Sequence, residues 1–413
     1  MIYLVTRWRV LLILGGLAFM RPASGRTEEI VLGMSGAFSG PSKGLGIELY
    51  RGSMAYFEQA NADGGVHGRK IVLKAYDDGY NPGPAIENTI RLVTKDNAFL
   101  LFNYVGTPTT TRCLTLLKRY QNESVFLFCP FTGAQPQRQP PYDEFVFNLR
   151  ASYYQETAGL VDHFHEIGRK RVAVFYQIDA YGRNGWEGVR AALARHGTKM
   201  VGEATYRRGT AFQESMNQQV GILRKAEPDA IISVGSYAAC AAFIRDARDA
   251  GWNVPIANIS FVGSENLLAL LQETGKANGT DYTHDLINSQ VVPSYHDQAL
   301  PAVIEYRRLM ARHNPKLPPE LRTEEYRLQP ESFVGLEGFL NAKLLVAILR
   351  KMGPPFDRKR FQAAAESMCD FDLGIGVPVS FGRNQHQASD RIYYTVVGDG
   401  RFQTLEDWKR WAK

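Results

Sequence analysis

The sequence predicts an α/β fold built as two doubly wound, Rossmann-like lobes around a ligand cleft. Three observations predict it. Short apolar runs alternate with stretches of helical periodicity from residue 30 to about residue 262. The alternation restarts after Leu149, behind a loop carrying Pro136, Pro140 and Pro141. The 413 residues are also too many for one simple core. Strands alternating with helices imply a parallel sheet covered on both faces. Such sheets take ligands at the carboxyl ends of their strands, so two lobes place their sites along a shared cleft.

The first half reads in order. Residues 30–34 form an apolar strand, and a Gly, Ser and Pro-rich loop spans 36–46. Helical spacing runs over 47–60, and Asp63-Gly64-Gly65 opens a turn that ends at Gly68. A strand over 70–76 ends in Asp77-Asp78-Gly79, where adjacent carboxylates read as a loop-stabilising turn. A helix over 82–95 leads to a strand over 98–102. The chain then turns at Gly106, and a helix starts around Thr107-Pro108. Thr is a good cap and Pro suits the first helical turn. A strand over 125–129 is closed by Pro130-Phe131-Thr132-Gly133.

The second half repeats the rhythm. Helices are expected over 155–167, 181–195, 213–225 and 237–250. Strands are expected over 171–176, 200–205, 230–234 and 256–262. Val291-Val292-Pro293 reads as a crossing between lobes. Helices over 301–313, 331–351 and 358–367 follow, then strands near 377–381 and 392–397. The closing helices bring no strand set of their own, so they must pack on an earlier lobe. The expected organisation is a signal peptide over 1–25, one lobe over 26–150 plus 293–390, and a second over 151–292 plus 391–413. About three segments cross between lobes, near 150, 292 and 390.

Composition excludes several classes. Formal net charge is +6, and Arg7, Arg9 and Arg21 supply half of it. The remaining excess is too mild and too scattered for nucleic-acid binding. Arg7 and Arg9 precede an apolar run over 10–20, followed by Pro22-Ala23-Ser24-Gly25 with small residues before a cut after Gly25. This is a secretory signal pattern, and about 11 apolar residues are too few to span a bilayer. The mature chain is therefore expected to be exported and soluble. Of four cysteines, Cys113 and Cys129 fall near one another in the expected fold. They could form a bridge, or each could be a small buried apolar residue. No cysteine or histidine spacing suggests a metal, and no GxSxG motif or nucleophile–base pair suggests an enzyme. No cofactor is expected, and the scattered histidines receive no role.

The chemistry concentrates in the loops after strands. At Gly106-Thr107 a strand ends and a helix N-terminus begins. That end offers free N–H groups, hydroxyls and the positive pole of a helix dipole, a natural seat for a small carboxylate. Ser39-Gly40-Pro41, Thr132-Gly133, Asp179-Ala180-Tyr181-Gly182, Ser236-Tyr237 and Ser264-Glu265 occupy equivalent positions.

On Gly36 to Pro41, Asn61 to Gly68, Tyr76-Asp77-Asp78, Asp179 to Gly182 and Phe261 to Glu265, taken in order, the chain resembles a known family. It is similar to type I periplasmic substrate-binding proteins of the leucine/isoleucine/valine-binding class, which feed ABC importers, from Ile30 to about Phe402. The resemblance implies a ligand carboxylate on Gly106 and Thr107. It implies a ligand amino group at Phe131, Thr132 and Gly133, met from the second lobe by Glu265. Tyr181 and Tyr237 would close the cleft, and Leu45 would line it. The implied partners are a small-molecule ligand and a membrane permease, with the protein a periplasmic monomer. Three departures bear on the ligand. Gly106 replaces a frequent serine, Gly133 replaces a frequent threonine, and Tyr80 and Val105 stand where some members have a disulfide. Two ligands therefore stay open: an amino acid, branched-chain or a similar small carboxylate, and an apolar aromatic or lipid-like molecule.

Overall fold

The computed structural model describes residues 29–413, so the expected signal peptide lies outside the described residues. The chain begins with β1 (Glu29–Gly36), α1 (Lys43–Ala62), β2 (Lys70–Asp77), α2 (Pro82–Thr94), β3 (Leu100–Phe102), α3 (Thr107–Arg119), β4 (Leu127–Phe128) and β5 (Val146–Phe147). These five strands form one sheet in the order β2-β1-β3-β4-β5, parallel throughout. The short strands β3, β4 and β5 are buried at every position, as strands covered on both faces should be.

The second set comprises α4 (Tyr153–Glu166), β6 (Val172–Gln177), α5 (Ala180–Arg195), β7 (Gly202–Tyr206), α6 (Asn217–Lys225), β8 (Ala230–Val234), α7 (Tyr237–Asp249), β9 (Ile256–Asn258), α8 (Ser264–Asn278) and β10 (Leu286–Gln290). Then come α9 (Pro301–His313), α10 (Phe333–Met352), α11 (Arg358–Glu366), a small hairpin of β11 (Phe371–Asp372) and β12 (Pro378–Val379), and finally β13 (Tyr393–Gly398) and β14 (Arg401–Thr404). The second sheet has the order β14-β13-β10-β9-β8-β6-β7. It is parallel except at its edge, where β13 and β14 add antiparallel.

The closing helices return to the first sheet. Helix α10 lies against α1 at backbone contact: a Cβ on Gly52 would fall 1.8 Å from the Gly335 carbonyl oxygen, and one on Gly338 would fall 2.2 Å from that of Leu49. Glycine is thus required on both faces of this crossing. Below α10, Phe128, Phe147, Phe361 and Phe381 pack edge-to-face with centroids 5.3–6.2 Å apart, a favoured geometry for aromatic cores. In the second sheet, Phe175 stacks on Phe243 at 4.2 Å.

Four expectations need correction. Helix α1 starts at Lys43, inside the expected loop, because Gly44 and Gly46 hid the periodicity of its first turn. Helix α6 starts at Asn217 rather than 213. Asp246 accepts from the Ser215 hydroxyl and the Met216 N–H, holding those residues in a turn. The strand expected over 256–262 ends at Asn258, and Ser260–Val262 form a 3-10 turn that runs into Gly263 at φ 76°. Strands β10, β11 and β14 were not expected. All four cysteines are free, so the open question at Cys113 and Cys129 resolves to buried thiols. Among the described residues no helix is long and apolar enough to cross a membrane, and no acid, His and Cys group could hold a metal ion.

Candidate ligand-binding site

The site builds up from the two turns after β3 and β4. Gly106, at φ 94°, occupies the cap position of α3, so the expected threonine cap is instead the first helical residue, Thr107. Only glycine takes that φ without strain. The Gly106 N–H donates to the Phe131 carbonyl at 3.1 Å, and the Phe131 N–H donates to the Tyr104 carbonyl at 2.7 Å. The Thr107 and Thr132 hydroxyls share a hydrogen bond of 2.7 Å. The two turns are therefore zipped into one surface.

Two tyrosines cover that surface. A Cβ on Gly106 would lie 2.1 Å from the Tyr80 ring, and one on Gly133 would lie 2.6 Å from the Tyr153 ring. The two replacements seen in the sequence are thus matched by rings that fill the vacated space. The Tyr153 hydroxyl lies beside Thr132 and Thr107 without completing a hydrogen bond of ordinary geometry.

The second sheet meets these rings with its own. Phe261, on the turn after β9, stands 5.3 Å from Phe131, 5.9 Å from Tyr80 and 4.6 Å from Tyr181. Tyr181 is also 5.2 Å from Tyr153. Its position follows from the helix start: Asp179 caps α5 by accepting from the Tyr181 N–H at 2.9 Å, and the Tyr181 hydroxyl donates to the Gly235 carbonyl at 3.3 Å. Gln177 donates to Asp179 at 2.7 Å and to the Tyr80 hydroxyl at 3.4 Å. Five rings from both sheets thus line one buried seam.

Next to the rings lies Arg150, with only 2% of its surface exposed. Its guanidinium carbon is 4.9 Å from the Phe131 centroid and 5.7 Å from that of Tyr153, cation–π distances. It donates to the Ser260 hydroxyl and lies 3.4 Å from both Glu156 and Glu337. Glu156 is well supplied, accepting from the Ser260 N–H at 2.8 Å, the Ser260 hydroxyl at 2.9 Å and the Ser289 hydroxyl at 2.6 Å. Glu337 is not, and burial pushes its carboxyl up to about 7.

Leu45, Tyr237 and Glu265 occupy a second stretch of the seam. The Tyr237 hydroxyl accepts from the Gly44 N–H at 3.1 Å, and Ser42 donates to Ser236 at 3.2 Å. Leu45 packs against Gly263, where a Cβ would come within 2.7 Å of it. Glu265 accepts from the Phe333 N–H at 3.3 Å, at the start of α10, while its other oxygen completes no hydrogen bond of ordinary geometry, with the Tyr295 hydroxyl beside the carboxylate. Burial pushes this carboxyl up to about 7.

The structure therefore brings Gly106, Thr107, Phe131, Thr132, Gly133 and Tyr181 into one cluster and sets Leu45, Tyr237 and Glu265 along from it. Sequence reasoning missed Tyr80, Tyr153, Phe261 and Arg150 as lining residues. Phe261 stands in the Phe261 to Glu265 motif, and Tyr80 follows the Asp77-Asp78-Gly79 turn. Arg150 carried no local signal.

Two α/β halves whose strand ends meet across a buried, aromatic seam define a two-lobed solute-binding protein. Residues 29–401 match the model of the periplasmic binding protein family, and the chain belongs to that family, in its type I, leucine/isoleucine/valine-binding class. A possible leucine/isoleucine/valine-binding protein from Rhodopirellula baltica SH 1 is 33% identical, with a TM-score of 0.82 over 94% of this chain and 98% of that one. A Leu/Ile/Val-binding protein homologue 7 from Brucella suis is 23% identical over 94% of both chains. An amino acid binding protein from Pseudomonas aeruginosa is 25% identical over 54% of this chain, and the match spans 58% of that relative's length. The family is one of solute binders rather than enzymes.

Proposed function

We propose that the chain is the periplasmic solute-binding component of an ABC importer, and that it closes on an amino acid, branched-chain or similar, held by its carboxylate and ammonium. In this reading 26–150 with 293–390 form one lobe, and 151–292 with 391–413 form the other. Export follows cleavage after Gly25, and the partner is a membrane permease. The observation that carries the reading is the seam itself. Hydroxyls of Thr107 and Thr132 sit at a helix N-terminus on one side, and Tyr181 and Phe261 face them from the other. Glu265, buried beside the Tyr295 hydroxyl with one oxygen that completes no hydrogen bond, is the acid available for an ammonium.

Ligand binds first to the Gly106-Thr107 and Thr132-Gly133 turns, and bending then brings Tyr181, Tyr237 and Glu265 over it. Closure is favoured only to the extent that the ligand contacts the second lobe better than water does. Glu265→Gln keeps the size and removes the charge. A charge-assisted hydrogen bond contributes about 1.5–3 kcal/mol, so the substitution should weaken amino-acid binding about ten- to hundredfold by calorimetry. An unchanged affinity removes the ammonium contact. A second reading, an apolar aromatic or lipid-like ligand, is favoured by the Phe333 N–H already held by Glu265 and by the five-ring wall. A thermal-shift screen across amino acids, carboxylates, aromatics and lipids separates the two.

A further inference from the structure

We propose that Arg150 is the anion anchor of the cleft: its guanidinium, beside Phe131 and Tyr153, takes the ligand carboxylate, and the Tyr153 hydroxyl is its second donor. The proposal rests on the carboxylate-ligand reading above and adds the residue that supplies the counter-charge. Arg150 lies outside the motifs that carry the family resemblance.

Three observations converge. First, Arg150 Nε and the Tyr153 hydroxyl are buried without completing a hydrogen bond, and Arg150 Nη1 has only the Glu337 carboxylate at 3.4 Å, outside hydrogen-bond geometry. Buried donors left unmatched are costly, and a cluster of them beside a ligand seam calls for an acceptor. Second, they lie beside the residues expected to hold the ligand. Arg150 packs on Phe131, and Tyr153 packs on Gly133 beside the Thr107–Thr132 pair. Third, the local charge balance leaves room for one anion. Arg138 and Arg150 face Glu156 and Glu337. Arg138 donates to the carbonyls of Ala134 and Arg150 and to Gln387. Glu156 is held by two serines. Glu337 alone has no hydrogen bond to Arg150, only an ion-pair approach of 3.4 Å, and its raised carboxyl accepts a proton near neutrality. With Glu337 protonated, the group carries one uncompensated positive charge. A guanidinium N–H brings a full positive charge to a carboxylate, where a helix N-terminus brings only a partial one.

Glu337 then competes with the ligand. Arg150, Glu156 and Arg138 are the charged groups that face it, and the buried Cys129 thiol is a further titratable one. As pH rises through about 7 it ionises and reclaims Arg150, so binding of a carboxylate should weaken.

The test uses acids paired with their uncharged amides: L-leucine with L-leucinamide, 4-methylpentanoate with its amide, and phenylacetate with its amide. Calorimetry is run on the full mature chain at pH 5.5 and 8. At least one acid should bind and its amide should not. The double variant Arg150→Met/Glu337→Gln removes one charge of each sign and leaves Glu156 to the Ser260 and Ser289 hydroxyls. It should lose about ten- to hundredfold in affinity for that acid. Retained affinity in a folded double variant overturns the anchor and leaves the carboxylate reading standing. No binding by any acid overturns that reading and the anchor with it. Should the double variant not fold, Glu337→Gln decides. It should tighten acid binding at pH 8 and not at 5.5, and an unchanged or weaker affinity at pH 8 overturns the proposal.

Discussion

The ring of Tyr80 stands where a side chain at position 106 would go: a Cβ on Gly106 would lie 2.1 Å from Tyr80 Cε2. The two positions are therefore coupled, and a glycine at the turn after β3 is the companion of a large ring after β2. Gly106→Ser should destabilise the protein by about 3 kcal/mol, from steric overlap and from φ 94°. Combined with Tyr80→Ala, it should cost about 1–3 kcal/mol less than the two single changes summed. Urea unfolding of all four proteins measures this. Strict additivity would show that the ring and the glycine act independently.

Glu265 ties stability to pH. Its ordinary value is 4.5, and burial raises it to about 7 in the folded protein. The folded state therefore holds the proton more tightly than the unfolded chain between those values. Stability from this group is full below about 4.5 and declines as pH rises to about 7. Glu265→Gln keeps an acceptor for the Phe333 N–H and removes the titration. Its stability relative to the parent should rise by up to about 3 kcal/mol between pH 4.5 and 8. Denaturation midpoints for both proteins across that range test it, and a pH-independent difference rules it out.

The α1–α10 crossing leaves no room for a methyl group. Gly52→Ala places a carbon against the Gly335 carbonyl, so the helices must separate. A loss of about 3 kcal/mol or more is expected in chemical denaturation. Gly64→Ala, at an open turn, provides a control for backbone strain without any contact.

The thiols should sort by burial. Cys113, Cys129 and Cys240 are buried, with Cys113 and Cys240 pushed up to about 12 by desolvation. Cys369 is exposed. A thiol reagent on the folded protein should label one cysteine quickly, and all four after denaturation. Only two reactive thiols in denaturant would mean a bridge is present.

Much of the fold was legible because strand and helix periods differ strongly over short runs. The apolar stretches at β1, β3 and β8 stand between turn residues and have no helical alternative of sufficient length. The helix starts were less legible where glycines interrupt the pattern, as at Gly44 and Gly46 in α1. At the site, the turns at Gly106 and Thr132 could be read locally, because each is a strand end followed by a cap or turn residue. The rings that cover them could not. Tyr153 reaches Gly133 from the following helix, and Glu265 meets Phe333 across a sequence separation of 68. Arg150 makes sense only once Glu156, Ser260 and Glu337 have been assembled around it from three elements. A single sequence carries periodicity well and convergence poorly.

The packing of α1 on α10 also sets the order in which the chain can fold. Helix α1 finds its main partner near the far end of the sequence, and Asn148, beside β5, donates to the His386 carbonyl at 2.7 Å. The second sheet likewise waits for β13 to pair with β10. Neither half can finish its core from contiguous chain, so long loops must close before either core rewards the loss of entropy. Nucleation should therefore be slow and late, and nascent chains ending before α10 should leave the apolar face of α1 uncovered. Such a chain stays unfolded for a comparatively long time after synthesis, and its C-terminal segments seal both cores.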